Sequence, residues 1–165
     1  DVDYDLLKLG FEGSQKVGLL GNLLYKATYG VFFNNSKMEF MDYKHFNGNQ
    51  THIGGTDRYL NVFNFMPYYS NSTNDSYFEA HIEHNDQGFI TNKIPLLNKL
   101  KSTLVIGFHE LAVPNRKPYT EYTVGLDNLG FGKFKLFRLD YIRSYQNGYI
   151  GDGVIFGLKI LNAID

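Results

Sequence analysis

The feature that most constrains the fold of this chain is a regular alternation of apolar and polar residues, in segments of about ten that end in Gly, Asn or Ser clusters. Successive side chains of a strand point to opposite faces, so each segment predicts a β-strand with one apolar and one polar face. In residues 153–161, for example, Val154 and Phe156 share one face, whereas Gly157 and Lys159 share the other. The pattern predicts an all-β protein of antiparallel up-and-down strands.

Seven segments carry this alternation clearly, at residues 3–12, 23–33, 77–88, 100–111, 119–128, 133–145 and 153–161. Residues 37–46 and 59–69 mix polar and apolar residues on both faces, and we interpret both as strands. The predicted total is about nine strands in a single domain over residues 1–165. Single-chain bacterial barrels have an even number of strands, so an odd count suggests further strands before Asp1. Asn147-Gly148 predicts a hairpin turn, because both positions of a type I′ turn need positive φ.

Composition excludes several functional classes. The formal net charge is -1 and no block of like charge occurs, so nothing indicates a nucleic-acid partner. Cysteine is absent, which excludes disulfides and thiolate metal sites. No stretch approaches the roughly 20 apolar residues of a membrane-spanning helix. A membrane β-barrel remains compatible with the composition, because only alternate residues of each strand face lipid. Asp1 follows no charged leader or apolar core, so we expect a removed signal peptide or an internal piece of a longer chain.

Two observations favour a membrane barrel over a soluble one. Charged residues occupy mid-strand positions, as a hydrated lumen tolerates, and tyrosines gather near strand ends, where their rings suit the headgroup region. A soluble sandwich or lipocalin-like barrel also alternates, with its apolar side inward, and stays open as the rival. The residues predicted to face outer-membrane lipid are Leu104, Ile106, Phe108, Phe137, Leu139, Tyr141, Val154, Phe156, Leu158 and Ile160. Those predicted to face the lumen are Glu79, His81, Glu83, Arg138, Asp140 and Lys159.

Longer motifs carry a family resemblance. They are His45-Phe46-Asn47-Gly48-Asn49-Gln50-Thr51, Phe65-Met66-Pro67-Tyr68-Tyr69-Ser70, Glu79-Ala80-His81-Ile82-Glu83-His84, residues 88–97, Val124-Gly125-Leu126-Asp127-Asn128 and Phe137-Arg138-Leu139-Asp140-Tyr141. Together they resemble the C-terminal barrel region of a Bacteroidota outer-membrane family whose members carry a carboxypeptidase-regulatory-like N-terminal domain. The resemblance implies an outer-membrane location, a chain that is the C-terminal part of a larger barrel, and a barrel of unknown function. It supplies no catalytic residues, since the regulatory-like domain is not a peptidase.

The sharpest chemical hypothesis in the sequence is a metal site at Glu79, His81 and Glu83, which share one strand face. Carboxylate and imidazole groups suit zinc or similar ions. However, these residues spread over about 13 Å of strand, so at most two neighbours could bind one ion without help from another strand. Ordinary lumen polarity is the favoured interpretation, and we predict no metal and no cofactor. Arg138 and Asp140 are expected to pair within the lumen, where an exposed pair contributes little.

The connection at residues 92–100 is apolar for a loop, with Ile94-Pro95-Leu96-Leu97 between Lys93 and Lys99. It could dip into the membrane interface, plug the barrel mouth or contact a partner, although packing against the rim is the simpler interpretation. For the whole chain we expect a structural, transport or assembly role in the outer membrane, with lipid and other outer-membrane or periplasmic proteins as partners. A soluble barrel that binds a small lipophilic ligand is the alternative, and an enzyme built on the His and Glu cluster comes third.

Overall fold

The computed structural model describes residues 3–48, 52–53, 60, 62–132 and 134–158. Their strands are β1 (Asp5–Lys16), β2 (Asn22–Phe33), β3 (His52–Ile53), β4 (Ser76–Asn85), β5 (Thr103–Ala112), β6 (Tyr119–Phe131), β7 (Phe134–Tyr145) and β8 (Tyr149–Leu158). One α-helix, α1 (Pro95–Leu100), follows a 3₁₀ turn at Thr91–Lys93. Further 3₁₀ turns lie at Gly18–Leu20, Asn35–Lys37 and Phe40–Asp42. No helix of these residues has the length and apolar character to cross a membrane.

All eight strands belong to one sheet in the order β1-β2-β4-β5-β6-β7-β8-β3. The seven long strands follow one another up and down, and each pairs antiparallel with its sequence neighbour. The two-residue β3 comes from the connection between β2 and β4 and pairs in parallel with the end of β8. Over the described residues the sheet is open, since β1 pairs with β2 alone. The predicted all-β, antiparallel up-and-down class is confirmed.

Two of the predicted strands are wrong. Residues 37–46 hold a 3₁₀ turn at Phe40–Asp42 and one isolated bridge from Lys44 to Thr73. In residues 59–69 the described part forms turns, bends and one isolated bridge from Phe63 to Gly48. Both segments belong to the long connection, which we define as residues 34–75. They lack a clean alternation because they fold over the sheet instead of entering it. The described residues hold seven long strands and β3, which is close to the predicted total of about nine.

The remaining connections lie at two ends of the sheet. The turn end carries the β1–β2, β4–β5 and β6–β7 connections, and the loop end carries the long connection, the β5–β6 connection and the β7–β8 hairpin. At that hairpin Asn147 and Gly148 both have positive φ, 58° and 121°, as the sequence predicted, within a connection of three residues. The predicted loop at residues 92–100 contains α1, which Pro95 begins at its first turn.

The long strands have two very different faces. The outer face carries apolar side chains from every long strand, and many of them are exposed. The inner face, which the long connection covers in part, carries His81, Glu83, Arg138 and Asp140, and all four are buried. The main apolar cluster lies between the long connection and the loop end, where it includes Phe46, Phe63, Met66, Tyr77 and Tyr119. The fold therefore places charged side chains on the inner face of the sheet and much of its apolar surface on the outer face.

Candidate functional site on the inner face

A buried ionic cluster joins β4 and β7 on the inner face. Arg138 donates from Nη2 to Glu83 Oε2 at 2.9 Å and from Nε to Asp140 Oδ2 at 2.7 Å. All three side chains are more than nine-tenths buried. The predicted pairing of Arg138 with Asp140 is confirmed, but the pair is buried and not exposed. The small contribution to stability expected of an exposed pair therefore does not apply here. Removing one partner of a buried pair leaves the other charge buried without compensation.

Two glycines lie on the inner face between the partners of this ionic cluster. Arg138 reaches Glu83 across β5 and β6, a distance of about 14 Å between strand axes in a flat sheet. The intervening inner-face positions include Gly107 and Gly125. A Cβ atom at Gly125 would lie 2.1 Å from Asp140 Oδ1, and one at Gly107 would lie 2.2 Å from Thr123 Oγ1. The absence of a side chain at Gly125 therefore leaves room for the Asp140 carboxylate, and its absence at Gly107 leaves room for the Thr123 hydroxyl.

A second polar group on the inner face is a chain of three residues on β4 and β5. His81 Nδ1 lies 2.8 Å from His109 Nδ1, and His81 Nε2 lies 2.9 Å from Glu79 Oε1. Because the Glu79 carboxylate accepts, Nε2 of His81 donates, and in neutral His81 the Nδ1 atom then accepts a hydrogen bond from Nδ1–H of His109. One N–H···N hydrogen bond thus joins the two buried imidazoles. Glu79 and His81 meet as the sequence suggested, and His109 completes the group from the next strand.

The geometry does not bring Glu83 to that group. Its carboxylate is occupied by Arg138, so the three residues weighed as metal ligands do not converge. Within the residues the structure describes, no set of three or more His, Asp or Glu side chains is arranged to hold a metal ion. The strand spacing noted in the sequence accounts for this, since alternate residues of one strand point the same way but stay several ångströms apart.

The long connection is fixed to the inner face by Glu121 of β6. Its carboxylate accepts the backbone N–H groups of Asn64 and Phe65, both at 2.7 Å, and the Tyr119 hydroxyl at 2.6 Å. Glu121 is fully buried. Three donors thus converge on the two oxygens of one buried carboxyl group. This single side chain therefore satisfies two backbone donors of the long connection.

Aromatic packing reinforces the same anchor. The Phe63 ring lies 4.9 Å from the His81 ring and 5.8 Å from the Tyr119 ring, and Phe63 is fully buried. The next aromatic residue, Phe65, lies against Gly153 of β8, where a Cβ atom would approach its ring to 2.5 Å. The long connection thus crosses the inner face from the imidazole pair to the last described strand.

The sequence-predicted residues fall on the faces expected of them. Glu79, His81, Glu83, Arg138 and Asp140 lie on the inner face. On the outer face Ile106, Phe137, Leu139, Tyr141, Val154 and Phe156 are between 36% and 63% exposed, and Leu104, Phe108 and Leu158 are partly exposed. Lys159 and Ile160 lie outside the described residues. Contact with lipid or with a water-filled lumen stays a prediction.

Sequence reasoning placed Glu121 on the polar face but missed its role. Nothing in the local sequence links it to Asn64 and Phe65, which lie 57 and 56 residues away. Phe63 was also missed, because it was assigned to a strand that does not form. The local sequence offers no signal for this role, because Glu121 occupies the same kind of polar-face position as Glu79 and Asp140.

Comparisons with known proteins give one match. The model for the C-terminal domain of a family of unknown function (DUF5686) matches residues 1–126. No curated protein and no solved structure matches the chain. The matched residues include β1 to β5, most of β6 and the whole long connection.

Proposed function

The chain belongs to the C-terminal domain of a family of unknown function (DUF5686), and on that premise we propose that it forms part of the wall of a β-barrel embedded in an outer membrane. Its role there is structural, or in transport or assembly, and not enzymatic. The observation that carries the proposal is the inverted distribution of side chains. Arg138, Glu83 and Asp140 are buried on one face of the sheet, whereas Phe156 and Val154 on the other face are more than half exposed.

This distribution supports a lipid environment for energetic reasons. Exposed apolar side chains recur on the outer face of every long strand, which makes a continuous surface far larger than the isolated apolar residues common on soluble proteins. In water such a surface drives aggregation, whereas in a bilayer it is solvated by acyl chains. Between neighbouring long strands the backbone polar groups pair with one another, as a bilayer requires, and the outer edge of β1 is the exception taken up below.

The same observation weighs against the soluble alternative. A lipocalin-like barrel that binds a lipophilic ligand needs an apolar interior. The inner face instead holds the Arg138 cluster, the His81–His109 pair and Glu121. These groups suit a hydrated or plugged lumen better than a ligand-binding cavity.

The open edge of the sheet supports a larger barrel. Both faces of β1 are exposed over nearly its whole length, and in the described structure its outer edge carries no partner strand. An unpaired edge cannot lie in hydrocarbon. We propose that further strands of the same protein pair with β1. The resemblance to an outer-membrane family with a carboxypeptidase-regulatory-like N-terminal domain supports this arrangement and the outer-membrane location, with other outer-membrane or periplasmic proteins as partners.

Membrane extraction of the full-length protein tests the proposal. We expect the protein to stay with the membrane fraction through alkaline carbonate washing, to dissolve only in detergent, and to show a folded band that shifts on heating in semi-native gels. A monodisperse protein in detergent-free buffer that binds a fluorescent lipophilic probe would instead establish the soluble alternative.

A further inference from the structure

The turn end of the sheet has a surface that neither the inner-face site nor the barrel wall explains. Four exposed lysines lie there, Lys16 at the end of β1 and Lys93, Lys99 and Lys101 around α1. The acidic residues in the connections and strand ends at this end are Asp86 and Asp127, and both are buried. The exposed charge of the turn end is therefore positive over the described residues.

Apolar side chains stand among these lysines. Leu19 is 85% exposed, and Leu96 and Phe134 are each 71% exposed, so all three exceed every residue of the mid-strand outer face. Leu19 lies in the β1–β2 connection, Leu96 lies in the β4–β5 connection, and Phe134 is the first residue of β7. The apolar and basic side chains are thus spread along the rim and are not gathered into one pocket.

The side-chain geometry suits an interface between hydrocarbon and charge. Lys93 Nζ lies 4.0 Å from the centre of the Phe89 ring, so an exposed ammonium group rests on an aromatic side chain at this rim. Lys135 is held differently, since its Nζ donates to the backbone oxygens of Leu100 and Gly130 and ties α1 to β6. That tie fixes α1, and with it Lys93 and Lys99, at the rim.

The loop end differs in its charge. Exposed Asp5, Glu39 and Asp75 occur there together with exposed Lys37, Arg116 and Lys117, so neither sign dominates. Its many polar groups, including the Asn34 to Asp5 hydrogen bond, suit contact with water. Exposed apolar side chains also occur at the loop end, as at Met41 and Tyr68, so the two ends differ in charge. Among the described residues, the turn end is the one whose exposed lysines are not balanced by exposed acidic residues of its connections.

We infer that the turn end docks on a layer of anionic phospholipid headgroups, with the lysines on the phosphates and the apolar side chains at the acyl boundary. This inference rests on the proposed membrane location. It goes further, because it assigns a lipid class to one rim and thereby orients the sheet in the bilayer. Anionic leaflets attract basic residues near their surface, with an effect of about fivefold in affinity for each lysine.

Insertion of the full-length protein into vesicles tests the inference. The vesicles are phosphatidylcholine alone or phosphatidylcholine mixed with phosphatidylglycerol, and insertion is followed by the heat-dependent gel shift. The turn-end variant K93Q/K99Q/K101Q is compared with the loop-end variant K37Q/R116Q/K117Q, which removes the same number of positive charges. We expect the anionic vesicles to speed insertion at low salt, and the turn-end variant to lose at least about tenfold of that preference.

The outcomes separate the two proposals. Failure of the unaltered protein to insert into either kind of vesicle would contradict the proposed membrane location, and with it this inference. Insertion without any preference for anionic vesicles, or an equal loss in both variants, would overturn the headgroup contact and leave the barrel intact. A preference for anionic vesicles that survives about 0.5 M salt, where the screening length is about 4 Å, would also contradict the contact with anionic headgroups.

Discussion

The inner and outer faces of this sheet are built from the same strands, yet they are stabilised in opposite ways. On β7, Arg138 and Asp140 are buried in specific ion pairs, whereas Leu139 and Tyr141, one residue away, are exposed and apolar. The inner face depends on directional contacts that fail if one partner is lost. The outer face depends on the medium around it, because its side chains stay exposed even where two rings pack together, as those of Phe137 and Phe156 do.

The largest effect is expected from Arg138→Met, which leaves the carboxylates of Glu83 and Asp140 buried without their counter-ion. We expect a loss of about 3–5 kcal/mol in the free energy of unfolding, measured by urea titration in a fixed lipid or detergent. Arg143→Met is the matched control on the outer face of the same strand, where the side chain is exposed over the Tyr149 ring. Equal effects of the two substitutions would mean that the inner cluster is not desolvated.

A charge introduced on the outer face should reduce stability somewhat less than Arg138→Met does. Phe156→Arg and Phe137→Arg place a guanidinium on the apolar face of β8 and β7, and near a bilayer midplane each costs about 2–4 kcal/mol. The measurement is the fraction of protein that inserts into vesicles and resists heat unfolding. Phe156→Leu keeps the face apolar and should insert normally. If Phe156→Arg inserts as well as Phe156→Leu, lipid does not cover this face.

The anchor of the long connection also lies on the inner face. Glu121→Gln replaces one acceptor oxygen by an NH2 group and leaves a single acceptor oxygen for Asn64 N–H, Phe65 N–H and Tyr119 O–H, so we expect about 1–3 kcal/mol less stability. The loss should be local, with faster amide hydrogen exchange at Asn64 and Phe65. Glu110→Gln, on the outer face of β5, is the control and should leave both amides protected. Unchanged exchange in the Glu121 variant would show that aromatic packing alone holds the connection.

Two glycines of β8 give a smaller, matched test of inner-face packing. Gly153→Ala would place its Cβ 2.5 Å from the Phe65 ring, whereas Gly151→Ala would place it 3.7 Å away, an ordinary contact. We expect Gly153→Ala to cost about 1–3 kcal/mol and to expose the long connection to protease, because a crowded core must shift. Gly151→Ala should be nearly neutral. Similar protease sensitivity in both variants would mean that the Phe65 ring does not pack against Gly153.

The smallest effect on stability is expected at Asp86, which lies in the β4–β5 connection at the turn end and belongs to neither face of the sheet. Burial acts to raise the pKa of Asp86, but four backbone N–H donors, from Gly88, Ile90, Leu104 and Thr91, outweigh it and lower the pKa below its usual value. The stabilisation is therefore present above the pKa of the unfolded chain, about 3.9, and is lost as the pH falls through the lower folded value. Hydrogen exchange in the 86–102 connection should rise in acid. Asp86→Asn should remove this pH dependence, and its persistence would assign it to another group.

The strands were predictable because alternation is a local property. Each of the seven clear segments became a long strand, because alternate side chains of one strand point to opposite faces whatever the strand pairs with. The long connection was not predictable in the same way. Phe63 and Phe65 contact residues of β4, β6 and β8, and no residue near them in the sequence indicates those contacts.

The sequence by itself determined the class of the fold, the two-sided character of its strands and the faces of Arg138, Asp140, Val154 and Phe156. Only the tertiary structure decided that Arg138 reaches Glu83 across two strands and that Glu121 holds the long connection. The physical reason is range: side-chain alternation is set by the backbone of one strand, whereas buried charge pairs depend on which strands the whole sheet brings together.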